Sequence, residues 1–361
     1  MSPGLTRHWP AEWEAHEATW LGWPHHEPDW PGKFGAIPWA FAEIVRVLHR
    51  YERVEIVCDG EAVRDQASRH LSAHGVDLAR CRLHAVPTDR VWLRDSGPTG
   101  VYGLRGFEWI RWAFNAWAKY DNYQKDERVA GTIAELTETP SVMALRPDGS
   151  GRLVLEGGGI EGNGAGTLLV TEEWLLSDTQ VRNPGLDASD YERAFADYLG
   201  TRRTIWLGEG CVGDDTHGHV DDVARFTDER TVVLASEPDP ADENHRRMED
   251  NRRRLELAAK GELRIVDLPY PAPVIMDGER LPASYANFYA ANGVVLVPTF
   301  NDRNDRVALG ILAELFPDRH VIGIHAVDLV WGLGSLHCLT QQQPSAKPLQ
   351  RFPMGQASLS V

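Results

Sequence analysis

Short apolar segments that alternate with amphipathic segments constrain the fold of this chain more than any other feature of its sequence. Residues 39–51 and 61–74 carry apolar side chains with the spacing of an α-helix, whereas residues 54–58 and 81–86 are short apolar runs of the kind that form strands. Asp59 and Gly60 end the first of these runs. Helices and strands that alternate along a chain are typical of an α/β fold.

The same patterns extend over the rest of the chain and predict a single domain over residues 1–361. The first forty residues are rich in Pro, Trp and His and are expected to be irregular, and residues 91–99 are expected to form a short strand that runs into a turn. Polar and aromatic residues at 119–127 suggest a surface segment or lid, and no periodicity is visible beyond Pro344. Further strands are predicted at 107–112, 153–155, 167–170, 204–207, 231–235, 263–268, 293–298 and 321–324, and further helices at 191–199, 240–260 and 305–316.

A polar residue beside a glycine-bearing turn follows several of the predicted strands. Such turns occur at Asp95, at Glu156, at residues 215–221 and at Cys338. The last of them follows the glycine-rich segment 331–337, whose glycines allow a left-handed backbone and a close approach to a ligand. We therefore expect a closed fold in which several strand ends converge on one central site.

The charge balance and the cysteines limit the classes of function. Lys and Arg number 37 against 53 Asp and Glu, a formal net charge of −16, which argues against a nucleic-acid or anionic-membrane surface and for cationic or neutral ligands. The four cysteines are far apart and form no CxxC pair, so we expect no disulfide framework or zinc ribbon, and a reducing compartment such as the cytoplasm. No apolar run approaches the ~18 residues of a membrane span, and the N-terminal residues lack the apolar core of a signal peptide. Six of the 13 Trp lie in the first forty residues and predict either packing or an aromatic wall for an extended or cationic substrate.

The densest group of ionisable side chains lies between Gly213 and Asp222, where two histidines flank a glycine beside four carboxylates. Three interpretations compete. The first is a metal site, because His and Asp bind zinc, manganese or iron. The second is proton transfer by His219 with cation binding by Asp221, which lies two residues further and so shares one face of an extended chain. The third is an Asx-rich turn without function.

Cys338 favours the second interpretation. A catalytic metal needs three protein ligands, and although His337 could be the third, nothing in the sequence fixes it there. A cysteine, a histidine and carboxylates at several strand ends instead fit covalent catalysis with Cys338 as the nucleophile, the alternative being a small buried thiol. Asp95, Glu156 and Asp221 could together form an acidic box for a guanidinium, whose planar N–H donors pair bidentately with carboxylates. Asp95 and Glu156, each taken alone, fit a salt-bridge partner or a turn residue better.

Five motifs occur in one order along the chain, and their family can be identified. They are WLRDSGP at 92–98, EGG at 156–158, GHVD at 218–221, NFYAANG at 287–293, and LHC at 336–338 followed by TQQQP at 340–344. Together with the opening segment 10–17 they closely resemble the agmatine deiminase family, which is grouped with the bacterial-type peptidyl-arginine deiminases. The resemblance extends from about residue 10 to residue 345.

This resemblance implies the pentein fold, a five-bladed α/β propeller of ββαβ units, and a hydrolase without metal or cofactor that converts a guanidine into a urea and ammonia. It implies that Cys338 is the nucleophile and His219 the general acid and base. Asp95 and Asp221 would clamp the guanidinium. Glu156 would be a further acid at the reacting carbon, and Asp215 would contact the substrate. The implied partner is a small cationic guanidine rather than nucleic acid or a membrane. The resemblance leaves open whether the chain forms a homo-oligomer.

Three residues depart from the pattern of the best-known members of the family. Gly159 and Ser335 stand where those enzymes carry Asn, and His217 stands where they carry Asp. The residues assigned to the chemistry are intact. The departures therefore leave the reaction class unchanged and concern the tail of the substrate.

The leading hypothesis is hydrolysis of agmatine to N-carbamoylputrescine and ammonia through a covalent Cys338 thiouronium intermediate. An ammonium tail is bound by acids or aromatic rings, whereas the carboxylate of arginine needs a cation, so the acidic chain and its Trp-rich start favour agmatine. The alternatives are a free arginine or peptidyl-arginine deiminase that gives citrulline, an amidinotransferase on the same fold, a binding propeller without activity, and a metallohydrolase built on His217, His219, Asp221 and His337.

Overall fold

Strands and helices alternate along the described chain. The computed structural model describes residues 7–345, so the tail beyond Pro344, for which no periodicity was expected, lies outside the described residues except for Ser345. The strands are β1 (His16–Gly22), β2 (Arg53–Cys58), β3 (Cys81–Ala85), β4 (Thr99–Gly103), β5 (Gly106–Arg111), β6 (Ser141–Met143), β7 (Glu161–Gly162), β8 (Thr167–Thr171), β9 (Arg203–Leu207), β10 (Ala224–Asp228), β11 (Thr231–Ser236), β12 (Arg264–Pro269), β13 (Ile275–Met276), β14 (Glu279–Arg280), β15 (Tyr289–Ala291), β16 (Val294–Thr299), β17 (His320–His325) and β18 (Thr340–Pro344). The α-helices are α1 (Ile37–Leu48), α2 (Gly60–Ala73), α3 (Leu93–Ser96), α4 (Asp126–Leu136), α5 (Glu172–Leu176), α6 (Ala188–Leu199), α7 (Glu243–Ala259), α8 (Asp305–Leu315) and α9 (Leu336–Leu339).

One arrangement of strands recurs in the sheets of residues 7–345. A strand pairs antiparallel with the next, a helix follows, and the chain returns as a third strand parallel to the second. A parallel return needs a crossover connection, which the helix supplies. This ββαβ arrangement forms the sheets β4-β5-β6, β7-β8-β9, β10-β11-β12 and β15-β16-β17.

A further sheet, β18-β1-β2-β3, joins the two ends of the described chain. β18 lies antiparallel to β1, with Thr340 opposite Leu21 and Gln341 opposite Trp20, and β1 is parallel to β2. Trp20 Nε1 donates to Gln343 Oε1 at 2.9 Å. The segment that precedes β18 is therefore held by a strand from the start of the chain.

Local sequence signals account for several helices. α1 has Pro38 in its first turn, where the missing N–H costs nothing, and it buries Phe41 and Ile44 on one face. α6 begins with a capping box in which the side chains of Asp187 and Asp190 each accept a backbone N–H of the other residue. Among residues 7–345, no helix is long and apolar enough to cross a bilayer.

Most of the predicted strands and helices are confirmed to within a few residues, but three predictions are wrong. The first forty residues are not irregular throughout, because His16–Gly22 forms β1, whose partners come from distant parts of the sequence. Residues 91–99 do not form a strand. Leu93–Ser96 is a helical turn, in which the Ser96 N–H donates to Trp92 O at 3.2 Å.

Residues 153–155 form no regular strand either. Val154 pairs with Ala113 as an isolated bridge. The side-chain amide of Asn183 takes the place of a neighbouring strand, accepting from Val154 N at 3.0 Å and donating to Val154 O at 2.8 Å. Leu153 and Leu155 are fully buried, so the apolar run reflects burial rather than strand pairing.

The apolar core lies between the sheets and the helices that cover them. The largest buried cluster joins the sheet that contains β1 and β2 to the sheet that contains β15 and β16, and it includes Trp23, Trp30, Phe41 and Tyr285. Trp20, Trp23 and Trp30 are at most 1% exposed. For these three residues the packing interpretation of the early tryptophans is correct, and the aromatic-wall interpretation is wrong.

Candidate active site

Short helical turns carry the residues that the sequence predicted to converge. They are Asp95 in α3, Glu156 directly before the 3₁₀ turn Gly157–Gly159, His219 directly before and Asp221 within the 3₁₀ turn Val220–Asp222, and Cys338 in α9. Each turn is followed by the outer strand of a sheet, namely β4, β7, β10 or β18. The residues therefore lie in turns that precede strands, and not at strand ends as expected.

Gly158 lies at the centre of this group. A Cβ atom at this position would be 2.6 Å from His219 Nδ1, 2.9 Å from Asp95 Oδ1 and 3.1 Å from Asp221 Oδ2. The Gly158 N–H donates to Asp95 Oδ1 at 3.0 Å. Because any side chain would fill this space, the glycine keeps a gap open between three ionisable groups.

The thiol of Cys338 borders the same group. Its Sγ donates to Asp221 Oδ2 at 3.5 Å and accepts from Asn287 Nδ2 at 3.1 Å. Burial and the negative charges of Asp221, Asp222 and Asp95 raise the pKa of the thiol well above its ordinary value. Without a bound cation, Cys338 is therefore a thiol and not a thiolate.

Asp221 connects this thiol to a buried chain of charges. Its Oδ2 lies 2.7 Å from His337 Nδ1, and His337 Nε2 lies 2.8 Å from Glu12 Oε2. Glu12 pairs in turn with Arg94 at 3.0 Å and Arg225 at 2.8 Å. Burial raises the pKa of the Asp221 carboxyl, but the hydrogen bond from His337 and the positive charges of His337, His219 and Arg225 together outweigh it, so the pKa lies below its ordinary value. Asp221 is thus a carboxylate, and its Oδ1 has no hydrogen-bond partner among the described residues.

His219 is buried between two carboxylates. Its Nε2 lies 3.5 Å from Glu156 Oε2, and its Nδ1 lies 3.8 Å from Asp95 Oδ1. Burial lowers the pKa of the imidazole, but the negative charges of Asp95 and Glu156 outweigh it and raise the pKa to about 9. His219 therefore carries a second proton at neutral pH. Its Nδ1 has no hydrogen-bond partner within residues 7–345, so this nitrogen is available to a ligand.

Glu156 and Asp95 differ in charge state although both are buried. Burial raises the pKa of Glu156, but the positive charges of Arg182 and His219 outweigh it and lower the pKa to about 2. Trp174 Nε1 and Arg182 Nε also donate to Glu156, at 2.6 Å and 3.2 Å. At Asp95 burial dominates and raises the pKa to about 6. Glu156 is thus held ionised in one position, whereas the charge of Asp95 responds to whatever binds beside it.

A cavity of about 400 Å³ has Cys338 and Asp95 in its wall. Its aromatic residues are Trp92, Trp117, Tyr120 and Trp331, and the N-terminal segment contributes His26, Pro28, Asp29 and Pro31. An aromatic wall of the expected kind is therefore present. Later tryptophans build it, and not those of the first forty residues.

Trp117 lies in a strained stretch of backbone. Ala116, Trp117 and Ala118 all have a left-handed conformation, with φ of 50°, 59° and 52°. This conformation is uncommon outside glycine, and each such residue costs about 1–3 kcal/mol. The stretch presents Trp117 to the acid group, since Trp117 Nε1 donates to Asp95 Oδ2 at 2.9 Å.

Asp215 lies in the wall of the cavity, and other side chains of the protein already bind both of its carboxylate oxygens. Tyr120 donates to Asp215 Oδ2 at 2.8 Å, and Lys119 pairs with Oδ1. Both partners belong to the polar segment 119–127, which is exposed at several positions as predicted and ends in the first residues of α4. The structure therefore places Asp215 at the cavity, but the Asp215 side chain makes no hydrogen bond or ion pair with the described residues around Gly158.

The three departures from the family pattern lie outside the cavity wall. Gly159 faces Trp174, whose indole ring would lie 2.4 Å from a Cβ at this position. His217 has a left-handed φ of 63° and lies 3.1 Å from a serine hydroxyl. Ser335 donates to Asn287 Oδ1 at 2.8 Å. These positions do not support the expectation that the departures alter the binding of a substrate tail.

The glycine-rich segment before Cys338 also differs from expectation. Its left-handed residue is Leu333, with φ of 69°, and neither Gly332 nor Gly334 has a positive φ. A Cβ on Gly332 would lie 2.6 Å from Trp30, and a Cβ on Gly334 would lie 2.7 Å from Trp92. These glycines make room for tryptophans of the core and the cavity wall.

The histidines near Asp221 do not assemble a metal site. His217 bonds to a serine hydroxyl, and His337 lies between Asp221 and Glu12. In the part of the chain that the structure describes, no group of three or more His, Cys, Asp or Glu side chains has the arrangement of a metal site. The ligand set of His217, His219, Asp221 and His337 is therefore not formed.

Three residues that the sequence reasoning passed over contact the predicted site residues. Asn287 contacts Cys338, Arg182 contacts Glu156, and Trp117 contacts the acid of α3. Asn287 opens one of the motifs that carry the family resemblance, and this position could have drawn attention to it. Arg182 and Trp117 lie in stretches without a motif, so no signal in the sequence relates them to the acids.

Known proteins resemble this chain over most of its length. The sequence profile of the family described as Porphyromonas-type peptidyl-arginine deiminase matches residues 8–344. Among curated relatives, the agmatine deiminase of Pseudomonas aeruginosa (strain LESB58) is 34% identical over 94% of this chain and 95% of the relative.

Solved structures of other proteins also match the fold of this chain over most of its length. The agmatine deiminase of Enterococcus faecalis has a TM-score of 0.86 and 28% identity, and the match covers 96% of this chain and 99% of that one. A substrate-bound agmatine deiminase of C. jejuni has a TM-score of 0.85 and 26% identity, with 97% and 99% covered. The mixed α/β fold of this chain is the fold of these structures.

Proposed function

The chain belongs to the Porphyromonas-type peptidyl-arginine deiminase family, and from this premise we propose that it hydrolyses agmatine to N-carbamoylputrescine and ammonia. The relative and the solved structures named above are agmatine deiminases, which act on a C–N bond of a guanidino group. The observation that supports the proposal most strongly is the arrangement around Gly158, where His219, Asp95 and Asp221 border one gap, the thiol of Cys338 contacts Asp221, and Asp95 and Cys338 line one cavity.

The guanidinium of the substrate would bind between Asp95 and Asp221. Its planar N–H donors pair well with carboxylates, and Asp221 Oδ1 has a free lone pair for this purpose. A cation beside Asp95 favours the ionised carboxylate, because an opposite charge stabilises the charged form. The same cation offsets the negative charges that hold the pKa of the Cys338 thiol high. Binding would thus fix the reacting carbon near the sulfur and make the thiolate accessible.

In the first half of the reaction, a bond forms between sulfur and carbon and ammonia leaves. Asp221 Oδ2, 3.5 Å from Cys338 Sγ, takes the proton of the thiol as the sulfur attacks the guanidinium carbon. His219 then donates its proton to one NH₂ group of the tetrahedral adduct while the bond from carbon to that nitrogen breaks. Ammonia departs, and an S-alkylthiouronium cation stays on Cys338.

In the second half, water replaces the sulfur. The neutral imidazole of His219 takes a proton from water, whose oxygen attacks the thiouronium carbon. The C–S bond of the new adduct breaks, and the sulfur of Cys338 regains its proton from Asp221. The proton of the adduct's hydroxyl group passes to solvent, where ammonia takes it up, and the substituted urea is released.

The basic side chains in and beside the cavity wall are already paired with acids, which favours a substrate with a cationic tail. Arg90 Nε and His26 Nδ1 lie 3.2 Å and 3.0 Å from Asp29 Oδ1. Lys119 pairs with Asp215. The carboxylate of free arginine would therefore meet no unpaired cation among the described residues of this wall.

Glu279 supplies the acid that such a tail requires. It lies in β14, is exposed, and lines the cavity without an ion pair to any described residue. An ammonium group gains from a free carboxylate and from the faces of aromatic rings. We infer that the primary amine of agmatine lies toward Glu279 and the aromatic wall. Peptidyl-arginine is the second candidate substrate, because the description of the family names it.

Ammonia release from agmatine, free arginine and a blocked arginine peptide tests the proposal. We expect turnover of agmatine without any added amine acceptor, which an obligatory amidinotransferase could not perform, and N-carbamoylputrescine as the product. Cys338→Ala is the control and should be inactive. Citrulline from the peptide with no product from agmatine would overturn the substrate assignment, and full activity of Cys338→Ala would overturn the nucleophile.

The remaining features of the proposal concern the whole protein. We propose a five-bladed propeller of one catalytic domain, supported by the recurring antiparallel-then-parallel strand arrangement and by the pairing of β18 with β1. We further propose a hydrolase that uses its own side chains and works in the cytoplasm, where its buried cysteines stay reduced.

A further inference from the structure

The carboxamide of Asn287 lies between the sulfur of Cys338 and the backbone of the turn that carries it. Its Nδ2 is 3.1 Å from Cys338 Sγ. Its Oδ1 accepts from Ser335 Oγ at 2.8 Å, from the His337 N–H at 3.0 Å and from the Cys338 N–H at 3.4 Å. Asn287 is 0% exposed and Ser335 is 2% exposed, so solvent does not replace these bonds.

These contacts determine which end of the amide faces the sulfur. An amide oxygen only accepts hydrogen bonds and an amide nitrogen only donates them. A hydroxyl and two backbone N–H groups surround one end of the Asn287 side chain, so this end is the oxygen. The NH₂ group must therefore point at Cys338. A rotated amide would place its NH₂ group against the two backbone donors and its oxygen against the sulfur.

The other groups around the sulfur oppose a negative charge on it. Asp221 lies 3.5 Å away, and Asp222 and Asp95 add further negative charge. Hydrogen bonds to an ionised group are shorter and stronger than neutral ones, so an N–H directed at the sulfur stabilises thiolate more than thiol. Asn287 acts in this direction on the pKa of Cys338, whereas the three acids and burial act in the other.

We propose that Asn287 is a further catalytic residue, which stabilises the thiolate of Cys338 through its Nδ2–H, and that Ser335 is a positioning residue, which keeps the amide in this orientation. The inference rests on the proposed function in so far as Cys338 is the nucleophile. It also assigns a use to Ser335, one of the three departures from the family pattern. The donor would act twice, when the thiolate attacks and when the thiolate leaves the second adduct.

Three substitutions and one conservative control separate this role from a structural one. Asn287→Ala removes the donor. Asn287→Asp keeps an acceptor for Ser335 and the backbone but directs an oxygen at the sulfur. Ser335→Ala removes one of the three bonds that fix the amide, and Ser335→Thr retains the hydroxyl as a conservative control.

The readout that does not depend on any substrate is the pH dependence of alkylation of Cys338 by iodoacetamide, followed by mass spectrometry of its peptide. A hydrogen bond to a charged group is worth a shift of about 1–2 pKa units, so Asn287→Ala should move the alkylation midpoint up by about this amount and lower kcat/KM about 10- to 100-fold. Asn287→Asp should move the midpoint further in the same direction. Ser335→Ala should show a smaller shift, and Ser335→Thr should restore the parent midpoint.

Each outcome bears on the inference. A midpoint for Asn287→Ala or Asn287→Asp equal to that of the parent protein would overturn it. If both Asn287 variants fail to fold, as judged by circular dichroism, the Ser335 pair decides, and equal midpoints for Ser335→Ala and Ser335→Thr would overturn it. If the protein releases no ammonia from any guanidine, the proposed function fails, but the alkylation midpoints still test the thiolate contact.

Discussion

A single methyl group at Gly158 should slow the reaction about 100-fold while the protein stays folded. In Gly158→Ala, the new Cβ would lie 2.6 Å from His219 Nδ1 and 2.9 Å from Asp95 Oδ1. Ordinary contacts of a Cβ begin at 3.4 Å, so the imidazole would have to move by about 0.8 Å. The backbone at Gly158 has no positive φ, so alanine suits the main chain and the clash is confined to the gap between the ionisable groups.

The size of the effect follows from this displacement. A misplacement of about 1 Å in a catalytic group costs about 10²-fold in rate, so we expect kcat/KM for agmatine to fall by about 100-fold, equivalent to about 2.7 kcal/mol of transition-state stabilisation. Overpacking costs about 1–3 kcal/mol in the free energy of unfolding, which most domains tolerate. The methyl group also fills space that the guanidinium requires, so KM should rise as kcat falls.

Gly162→Ala is the matched control. Its Cβ would lie 2.5 Å from the ring of Trp9, a clash of the same size, but Gly162 lies in β7 and does not line the cavity. Both variants should lose similar amounts of thermal stability, and only Gly158→Ala should lose activity in the ammonia-release assay. If Gly158→Ala turned over agmatine as well as Gly162→Ala, the gap around Gly158 would not be part of the active site.

Three further predictions follow from the charges of the site. The kcat/KM profile should be bell-shaped, because Asp95, with a pKa raised to about 6, must be ionised to bind the substrate, and His219, with a pKa raised to about 9, must be protonated to release ammonia. Activity is thus lost as the pH falls through about 6 and as it rises through about 9, and a flat profile from pH 5 to 10 would contradict the assignment. Glu279→Gln should raise KM for agmatine about 5-fold with kcat unchanged, since a partly exposed ion pair contributes about 1 kcal/mol. Arg182→Met should lower the free energy of unfolding by about 3–5 kcal/mol, because it leaves the buried carboxylate of Glu156 without its guanidinium partner, and urea denaturation can measure this loss.

Two surface variants are controls for these measurements. Glu229→Gln alters an exposed acid outside the cavity and should leave KM for agmatine unchanged. Arg246→Met breaks a surface pair with Glu209, in which the Arg246 side chain is 70% exposed, and should change the free energy of unfolding by less than about 1 kcal/mol. If the Arg182→Met variant were as stable as Arg246→Met, the buried pair of Arg182 and Glu156 would not contribute the stability that we expect.

The sequence predicts the long helices of this fold better than the strand β1 and the short helical turn α3. α7 and α8 were predictable because their amphipathic periodicity is a local property of the chain. β1 was not, because it is a strand only through pairing with β2 and β18, and its own residues gave no sufficient signal. The helical turn α3 was missed because a few apolar residues before a charged pair fit a strand end and a helical turn equally well.

The residues of the candidate site likewise divide into those that the sequence indicates and those that only the fold brings together. Cys338 and His219 could be identified because their residue types and neighbouring motifs point to chemistry. Asn287 opens one of the motifs, but its contact with Cys338, 51 positions away, depends on the folded arrangement. Arg182 could not be identified, because it lies outside the motifs and its contact with Glu156, 26 positions away, also depends on the fold. The strained stretch at Trp117 has no signal either, since left-handed backbone outside glycine is imposed by packing and not by residue type.

Because Cys338 lies in α9, directly before β18, the proposed nucleophile is the last of the predicted site residues to be synthesised. The acids at Asp95, Glu156 and Asp221 belong to sheets whose strands have all emerged long before Cys338 is made. We therefore expect the acids to come together before Cys338 is made, and the α9 turn to be fixed only when Thr340–Pro344 pairs with β1. Proteolytic removal of this one strand should silence the protein while leaving the pocket able to bind a guanidinium.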